Sequence, residues 1–173
     1  MKTILSICAG AALCLLASCS GEQAQTLPYN QGINVIPMPQ SLVQHDGYFK
    51  LTGQTAIGAT APEARTVAEF FAAKMNTATG YAVKVADKGN ITLTLDEAVD
   101  VANDEGYLLE VTKQGVNVTA RTVQGLFYGM QTFMQLLPAE IESATKVDGI
   151  VWQAPLVSVK DAPRFGYRGI HLD

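Results

Sequence analysis

Two stretches of the chain repeat apolar residues at three- and four-residue intervals, the spacing that places them on one face of a helix. The first predicts a helix over residues 62–79, with Pro62 at its first position and Gly80 directly after its end, where these residue types are favoured. The second predicts a helix over residues 122–137, which Pro138 ends. The residues expected to be buried are Val67, Phe70, Phe71 and Met75 in the first helix, and Val123, Leu126, Phe127, Met130, Phe133, Met134 and Leu137 in the second.

Two glycines interrupt the side chains of the second helix. Gly125 and Gly129 are four residues apart, so they fall on the same helical face. A face without side chains allows another part of the backbone to approach closely. We therefore expect a close contact between this helix and a neighbouring element.

Short runs of apolar and β-branched residues surround the two helices and predict strands. The dipeptide Asp46-Gly47 favours a tight turn and indicates a hairpin. We expect three pairs of strands: residues 41–50 with 51–58, 81–85 with 91–95 across a turn at 87–90, and 107–111 with 115–120. We also expect single strands at residues 33–36 and 150–160. This order predicts an α+β fold: a mostly antiparallel sheet with two helices packed on one face.

The first residues of the chain have the pattern of an export signal. Lys2 precedes an apolar run over residues 4–16, which is too short for a comfortable membrane span, and small residues follow it. The stretch Leu-Ala-Ser-Cys ending at Cys19 resembles the bacterial lipoprotein box, in which the cysteine is lipidated. We expect a lipoprotein signal peptide at residues 1–18, a polar tether at 19–32, and an exported protein anchored to a membrane of the cell envelope, periplasmic or surface-exposed. The alternative is an ordinary signal peptide with an incidental cysteine.

Composition excludes several kinds of function. All three cysteines, Cys8, Cys14 and Cys19, lie in the signal or at its border, so the domain has none for a disulfide, a thiol nucleophile or zinc. The net charge of −4 argues against nucleic-acid binding, which needs a basic face. The acidic segment 96–105 lacks the spacing of a calcium-binding loop and is expected to be solvated. No phosphate-binding or nucleophile-elbow motif is present, so no metal and no cofactor are predicted.

The last ten residues, RFGYRGIHLD, combine arginine, histidine and aspartate in a short apolar strand. Charged and polar groups so placed are costly unless they are paired or used. From the residues alone, a functional site and a merely structural ion pair of Arg168 are equally acceptable. The other histidine, His45, is expected at the surface in a turn.

Three segments resemble the family 20 glycoside hydrolases, the β-N-acetylhexosaminidases. They are NVIPMPQSL at residues 34–42, GYLLEVTKQGVNVTARTVQGLFYGMQTFMQLLP at 106–138 and VKDAPRFGYRGIHLD at 159–173. The resemblance implies that residues 33–160 are that family's N-terminal non-catalytic domain. It also implies that residues 161–173 are a linker and the truncated first strand, 167–173, of a catalytic (β/α)8 barrel.

The resemblance implies an activity that this chain does not complete. The family removes terminal N-acetylglucosamine or N-acetylgalactosamine from glycans by retaining, substrate-assisted hydrolysis, with an adjacent Asp-Glu pair. No residue here matches that pair, so the chain supplies no catalytic residue and is expected to be inactive alone. Arg168 is implied to bind hydroxyls of the terminal sugar, and Asp173 is a weaker candidate for orienting its neighbours.

Two alternatives differ in class from this reading. The domain could lead into the barrel of another glycosidase family, or it could be a complete glycan-binding or scaffolding surface lipoprotein. A binding module needs exposed aromatic faces, and Trp152 is the candidate for that role. Core packing is the favoured interpretation of Trp152.

Overall fold

The computed structural model describes residues 33–169, so the predictions for the signal peptide, Cys19, the tether and Asp173 lie outside the described residues. A short 3-10 helix at Ala139–Glu142 adds to the predicted elements. The strands and helices in chain order are β1 (Ser41–Lys50), β2 (Ala56–Gly58), α1 (Pro62–Thr79), β3 (Lys84–Ala86), β4 (Ile91–Leu95), β5 (Tyr107–Val111), β6 (Val116–Ala120), α2 (Val123–Leu136) and β7 (Gln153–Asp161).

The strands form one seven-stranded sheet in the order β1-β7-β5-β6-β4-β2-β3. Pairing is antiparallel from β1 to β6 and parallel from β6 to β3, and the longest ladder joins β1 to β7. Both helices contact the sheet and each other, so they lie on the same face. The predicted α+β fold is therefore confirmed, although the parallel half of the sheet was not anticipated.

Helix α1 has the predicted bounds, because local signals fix both of its ends. Pro62 occupies the first turn, and Gly80 adopts φ 70° while its N–H donates to the carbonyl of Asn76 at 2.9 Å. Phe71 and Met75 are fully buried, as expected. Phe70 was expected in the core, but it is 49% exposed because it lies at the edge of the apolar stripe, where its ring contacts Phe71 and Phe127.

Helix α2 begins after Thr122, whose hydroxyl accepts from the N–H of Gly125 at 3.4 Å. The predicted close approach at the two glycines is confirmed. A Cβ at Gly125 would meet the carbonyl of Gly106, and one at Gly129 would overlap Val118 of β6. No helix among residues 33–169 is both long and apolar enough to cross a membrane.

The predicted hairpin of residues 41–58 is wrong. β1 continues through Asp46-Gly47, where its register against β7 shifts between His45 and Tyr48. Gly47 has φ 114°, so the glycine serves a β-bulge instead of a turn. The sequence signal for left-handed backbone was correct, but a bulge and a turn use the same residue type.

The second predicted hairpin, between residues 81–85 and 91–95, is also wrong. β3 and β4 pair in parallel with opposite edges of β2, so the intervening turn crosses the end of β2. Gly89 makes this crossing possible, because a Cβ there would clash with the carbonyl of Ala56. The β5–β6 hairpin, in contrast, is confirmed, with β6 beginning one residue later than predicted.

The last strand was predicted one to three residues early, and it runs without interruption through Pro155. Pro155 faces Tyr48 at the β1 bulge and lies beyond the end of the β5 pairing, so no ladder hydrogen bond needs its missing N–H. Trp152 directly before β7 is 4% exposed, which confirms its core position and leaves no aromatic platform there.

Two predicted strands lie at the ends of the domain and do not form over the described residues. Residues 33–36 are instead held by the side chain of Gln135, which bonds both the N–H and the carbonyl of Ile36, at 2.9 and 3.0 Å. Residues 162–169, named here the connector, follow β7 without strand structure. A strand forms only where a neighbour completes its ladder of hydrogen bonds, and the rest of the predicted barrel strand lies outside the described residues.

Candidate functional site

The site begins with Arg168, the residue that the sequence resemblance assigns to substrate binding. Its Nη2 donates to both carboxylate oxygens of Glu105, at 2.9 and 3.0 Å, and to the hydroxyl of Tyr128 at 3.2 Å. The guanidinium carbon lies 5.8 Å from the centre of the Tyr128 ring, within cation–π range. Nη1 donates to the carbonyl of Phe165, which closes a turn within the connector.

The charges of this pair change the titration of both groups. The hydrogen bond from Arg168 holds the pKa of the Glu105 carboxyl below its ordinary value, and the bond to Glu105 raises the pKa of Arg168. The side chains are 31% and 41% exposed respectively. Water and salt therefore screen the attraction, and an exposed pair of this kind contributes little to stability by itself.

A pocket of about 510 Å³ opens beside this ion pair. It lies between residues 35–38, one face of α2, and the chain from Asp161 to Arg168. Three apolar side chains that line it are exposed: Ile36 78%, Met38 79% and Phe165 72%. The pocket thus brings together the two ends of the described domain, which are remote in sequence.

Hydrogen bonds join three polar side chains that line the pocket, those of Tyr107, Thr132 and Asp161. The Tyr107 hydroxyl lies 2.6 Å from Thr132 Oγ1 and donates to Asp161 Oδ2 at 3.3 Å. Asp161 Oδ1 accepts from the backbone N–H of Gln40 at 3.0 Å. Burial raises the pKa of Tyr107 well above its ordinary value, so its hydroxyl stays protonated and remains a donor.

The other sequence candidates do not join this site. His45 lies in β1 and bonds Ser158 at 2.9 Å, and Ser158 donates to Glu110 at 2.7 Å. Because the serine stands between the other two, the histidine is not oriented by the acid, as a nucleophile–base–acid relay requires. Asp173 lies outside the described residues. Among residues 33–169, no three His, Cys, Asp or Glu side chains gather as metal ligands would.

Sequence reasoning missed Glu105 and Tyr128. They lie 63 and 40 positions from Arg168, a distance that no local pattern reports. Glu105 was assigned to a solvated acidic loop, but that loop uses two carboxylates in ion pairs, Asp100 with Lys160 and Glu105 with Arg168. The available signal was the resemblance itself, because Tyr128 belongs to the Gly-Leu-Phe-Tyr-Gly segment that carries it.

Comparison with known proteins agrees with this fold. The β-hexosaminidase of Porphyromonas gingivalis is 38% identical, over 95% of this chain and 22% of that protein. The β-hexosaminidase of Vibrio furnissii is 30% identical over 82% of this chain and 21% of its own length. The structure of Streptomyces plicatus N-acetyl-β-hexosaminidase in complex with Thio-NAglucal is similar with a TM-score of 0.72 at 36% identity, covering 78% of this chain and 27% of that one.

The chain thus spans roughly a fifth to a quarter of the length of these relatives. A family model described as glycosyl hydrolase family 20, domain 2, matches residues 32–162. That range runs from just before the first described residue to the start of the connector, so it contains the whole sheet and both helices. The chain therefore belongs to glycosyl hydrolase family 20, and residues 32–162 are domain 2 of that family.

Proposed function

We propose that this chain is the leading, non-catalytic part of an exo-acting β-N-acetylhexosaminidase that removes terminal N-acetylglucosamine or N-acetylgalactosamine from glycans. The observation that carries the proposal is a match to a named β-hexosaminidase along 95% of the chain. No partner, cofactor or metal besides the glycan substrate is needed for the substrate-assisted retaining reaction implied by the family.

The acids of this chain support a non-catalytic role. A general acid needs a pKa raised towards the working pH, whereas the pKa values of Asp100 and Glu105 are lowered by hydrogen bonds from Lys160 and Arg168. Glu105 and its neighbour Asp104 are adjacent in sequence, as the catalytic acids of the family are. The ion pair of Glu105 with Arg168 makes it a poor proton donor, so we assign no catalysis to it.

Arg168 is the residue of this chain proposed to touch substrate. Within the described residues, its Nε–H makes no hydrogen bond, and neither does the second N–H of Nη1. Those two N–H groups can each donate to an oxygen of a bound sugar. In the complete enzyme, residues 161–173 would form the linker and the first barrel strand, and Asp173 would orient neighbouring groups at the end of that strand.

The decisive test is to sequence the source DNA beyond residue 173 and to assay both products. We expect an open frame of roughly 250 or more residues that encodes an adjacent Asp-Glu pair. The long protein should hydrolyse an aryl N-acetyl-β-glucosaminide, whereas the 173-residue chain should not. Turnover by the short chain would refute its non-catalytic role, and a long protein without this activity would refute the proposed enzyme.

A lipid anchor at Cys19 completes the proposed setting of the enzyme at a membrane surface of the bacterial envelope. The support is the sequence pattern alone, a short apolar run followed by small residues and cysteine. In a bacterial host fed a labelled fatty acid, we expect the protein to carry the label and to sediment with membranes. Cys19→Ala should abolish the label and Cys14→Ala should retain it, so a label that survives Cys19→Ala contradicts the anchor.

A further inference from the structure

We infer that the β4–β5 loop, residues 96–106, is a docking loop that holds the connector against the domain and sets the direction in which the chain continues beyond β7. The inference concerns the described chain itself and does not depend on the proposed hydrolase activity. It gives a role to the acidic segment, for which the sequence predicted only solvation.

The loop and the chain that leaves the sheet run side by side. Three polar contacts join them. Along the loop from Asp100 to Glu105, the partners follow the chain in the same order, from Lys160 in β7 to Arg168 in the connector. Asp100 accepts from Lys160 Nζ at 2.7 Å. Asn103 Nδ2 donates to the carbonyl of Pro163 at 3.0 Å. Glu105 binds Arg168 through both of its carboxylate oxygens.

Close packing accompanies the second of these contacts. Ala162 at the start of the connector is 3% exposed. A Cβ on Gly106 would lie 3.2 Å from the Cβ of Ala162 and 2.8 Å from that of Val101. The glycine therefore allows the loop and the connector to approach to van der Waals contact.

The loop is itself braced, so it can act as a fixed support. The hydroxyl of Thr122, the N-cap of α2, donates to the carbonyl of Asp104 at 2.5 Å. Arg121 donates to the carbonyl of Val99 from two nitrogens, at 3.2 and 3.3 Å. Within the loop, Asn103 Oδ1 accepts from the N–H of Glu105 at 3.0 Å. Asn103 thus uses one end of its amide to shape the loop and the other to hold the connector.

Tyr128 extends the docking site from the loop to α2. Its hydroxyl contacts both Glu105 Oε1, at 3.3 Å, and Arg168 Nη2, at 3.2 Å. Its ring also faces the guanidinium. A guanidinium between a carboxylate and an aromatic face is bound from two sides, which orients it more strongly than a single exposed ion pair does.

The test uses the chain as it stands and measures how fast trypsin cuts the connector after Arg164 and Arg168. Mass spectrometry would compare the wild type with Glu105→Ala and with the double variant Asn103→Ala/Glu105→Ala. Because Glu105 forms one exposed ion pair among several contacts to the connector, we expect Glu105→Ala to speed cleavage about two- to fivefold, and the double variant to speed it further. Tyr128→Phe should give a smaller increase, because it keeps the ring and loses the hydroxyl.

Glu110→Ala is the matched control, since Glu110 is an exposed glutamate that bonds Ser158 and not the connector. Its cleavage rate should equal that of the wild type, and cleavage after Lys160 within β7 serves as an internal reference for global unfolding. Equal rates for Glu105→Ala and wild type would overturn the inference. So would an equal acceleration by Glu110→Ala, or a rise after Lys160 that matches the rise in the connector.

Discussion

Single polar side chains join distant parts of this domain, and Tyr107 is the buried example. It is 2% exposed, and its hydroxyl links Thr132 of α2 to Asp161 at the end of β7. Burial favours the neutral phenol and raises its pKa above the ordinary value of 10.0. The stability of the fold therefore depends on the Tyr107 hydroxyl remaining protonated.

We predict that Tyr107→Phe lowers the free energy of unfolding by about 1–3 kcal/mol at neutral pH, because the buried Thr132 hydroxyl loses its partner. The variant should also change the alkaline limb of the stability curve. A folded-state pKa above the unfolded value makes the contribution of Tyr107 complete below pH 10, and it is lost as the pH rises further. Urea unfolding at pH 7 and at several pH values above 9 would measure both effects, and Tyr107→Phe should flatten the alkaline decline.

Tyr81→Phe provides the control for that measurement. Tyr81 is partly buried and its hydroxyl makes no hydrogen bond in the part of the chain that the structure describes. Removing that hydroxyl should leave the free energy of unfolding at neutral pH close to that of the wild type. If Tyr107→Phe and Tyr81→Phe behave alike, the Tyr107 contacts do not stabilise the fold.

At the scale of elements, the packing of α2 on the sheet depends on its glycine face. Gly129 lies against Val118 of β6 and the ring of Tyr107 in β5. Helix propensity alone disfavours glycine in a helix by about 1 kcal/mol relative to alanine. The packing gained by the close approach of α2 to the sheet therefore outweighs the cost of glycine in a helix. A larger residue at position 129 would keep the helix farther from the sheet.

We predict that Gly129→Ala destabilises the domain by about 1–3 kcal/mol, although alanine is the better helix former. The added Cβ overlaps Val118, so α2 or β6 must shift away from the other. Thermal unfolding followed by circular dichroism would measure the change. Gly53→Ala is the matched control, because its nearest neighbour, a Tyr81 ring atom, lies 4.0 Å from the added Cβ and no strain arises. A stabilised Gly129→Ala would refute the packing argument.

At the scale of the whole molecule, the sheet order brings the two ends of the domain together. β7, the last strand, lies between β1 and β5, so the first and last strands are neighbours. Gln40 bonds both Asp161 and Ala162 across a separation of more than 120 residues. The pocket, the connector and residues 35–38 consequently share one edge of the domain. Any polypeptide attached after β7 would begin at this edge.

The sequence by itself determined the features that depend on neighbours in the chain. The bounds of α1, those of α2 to within one residue, and the β5–β6 hairpin were predicted because helix hydrogen bonds and short turns connect residues only a few positions apart. The longest segment that resembles family 20, residues 106–138, contains the β5–β6 hairpin and α2, so the family could be recognised before the fold was known. The α+β class followed from the order of these elements.

Only the tertiary structure decided which strands pair and what surrounds Arg168. A strand can form its ladder with any other strand, so local sequence does not decide its partner. Asp46-Gly47 and Gly89 both fitted hairpin turns, but Gly47 lies in a β-bulge and Gly89 in the crossover between β3 and β4. Glu105 and Tyr128 likewise meet Arg168 only because β7 inserts beside β5 and delivers the connector to α2. Contacts between residues so far apart depend on the summed packing of the sheet, which no local pattern encodes.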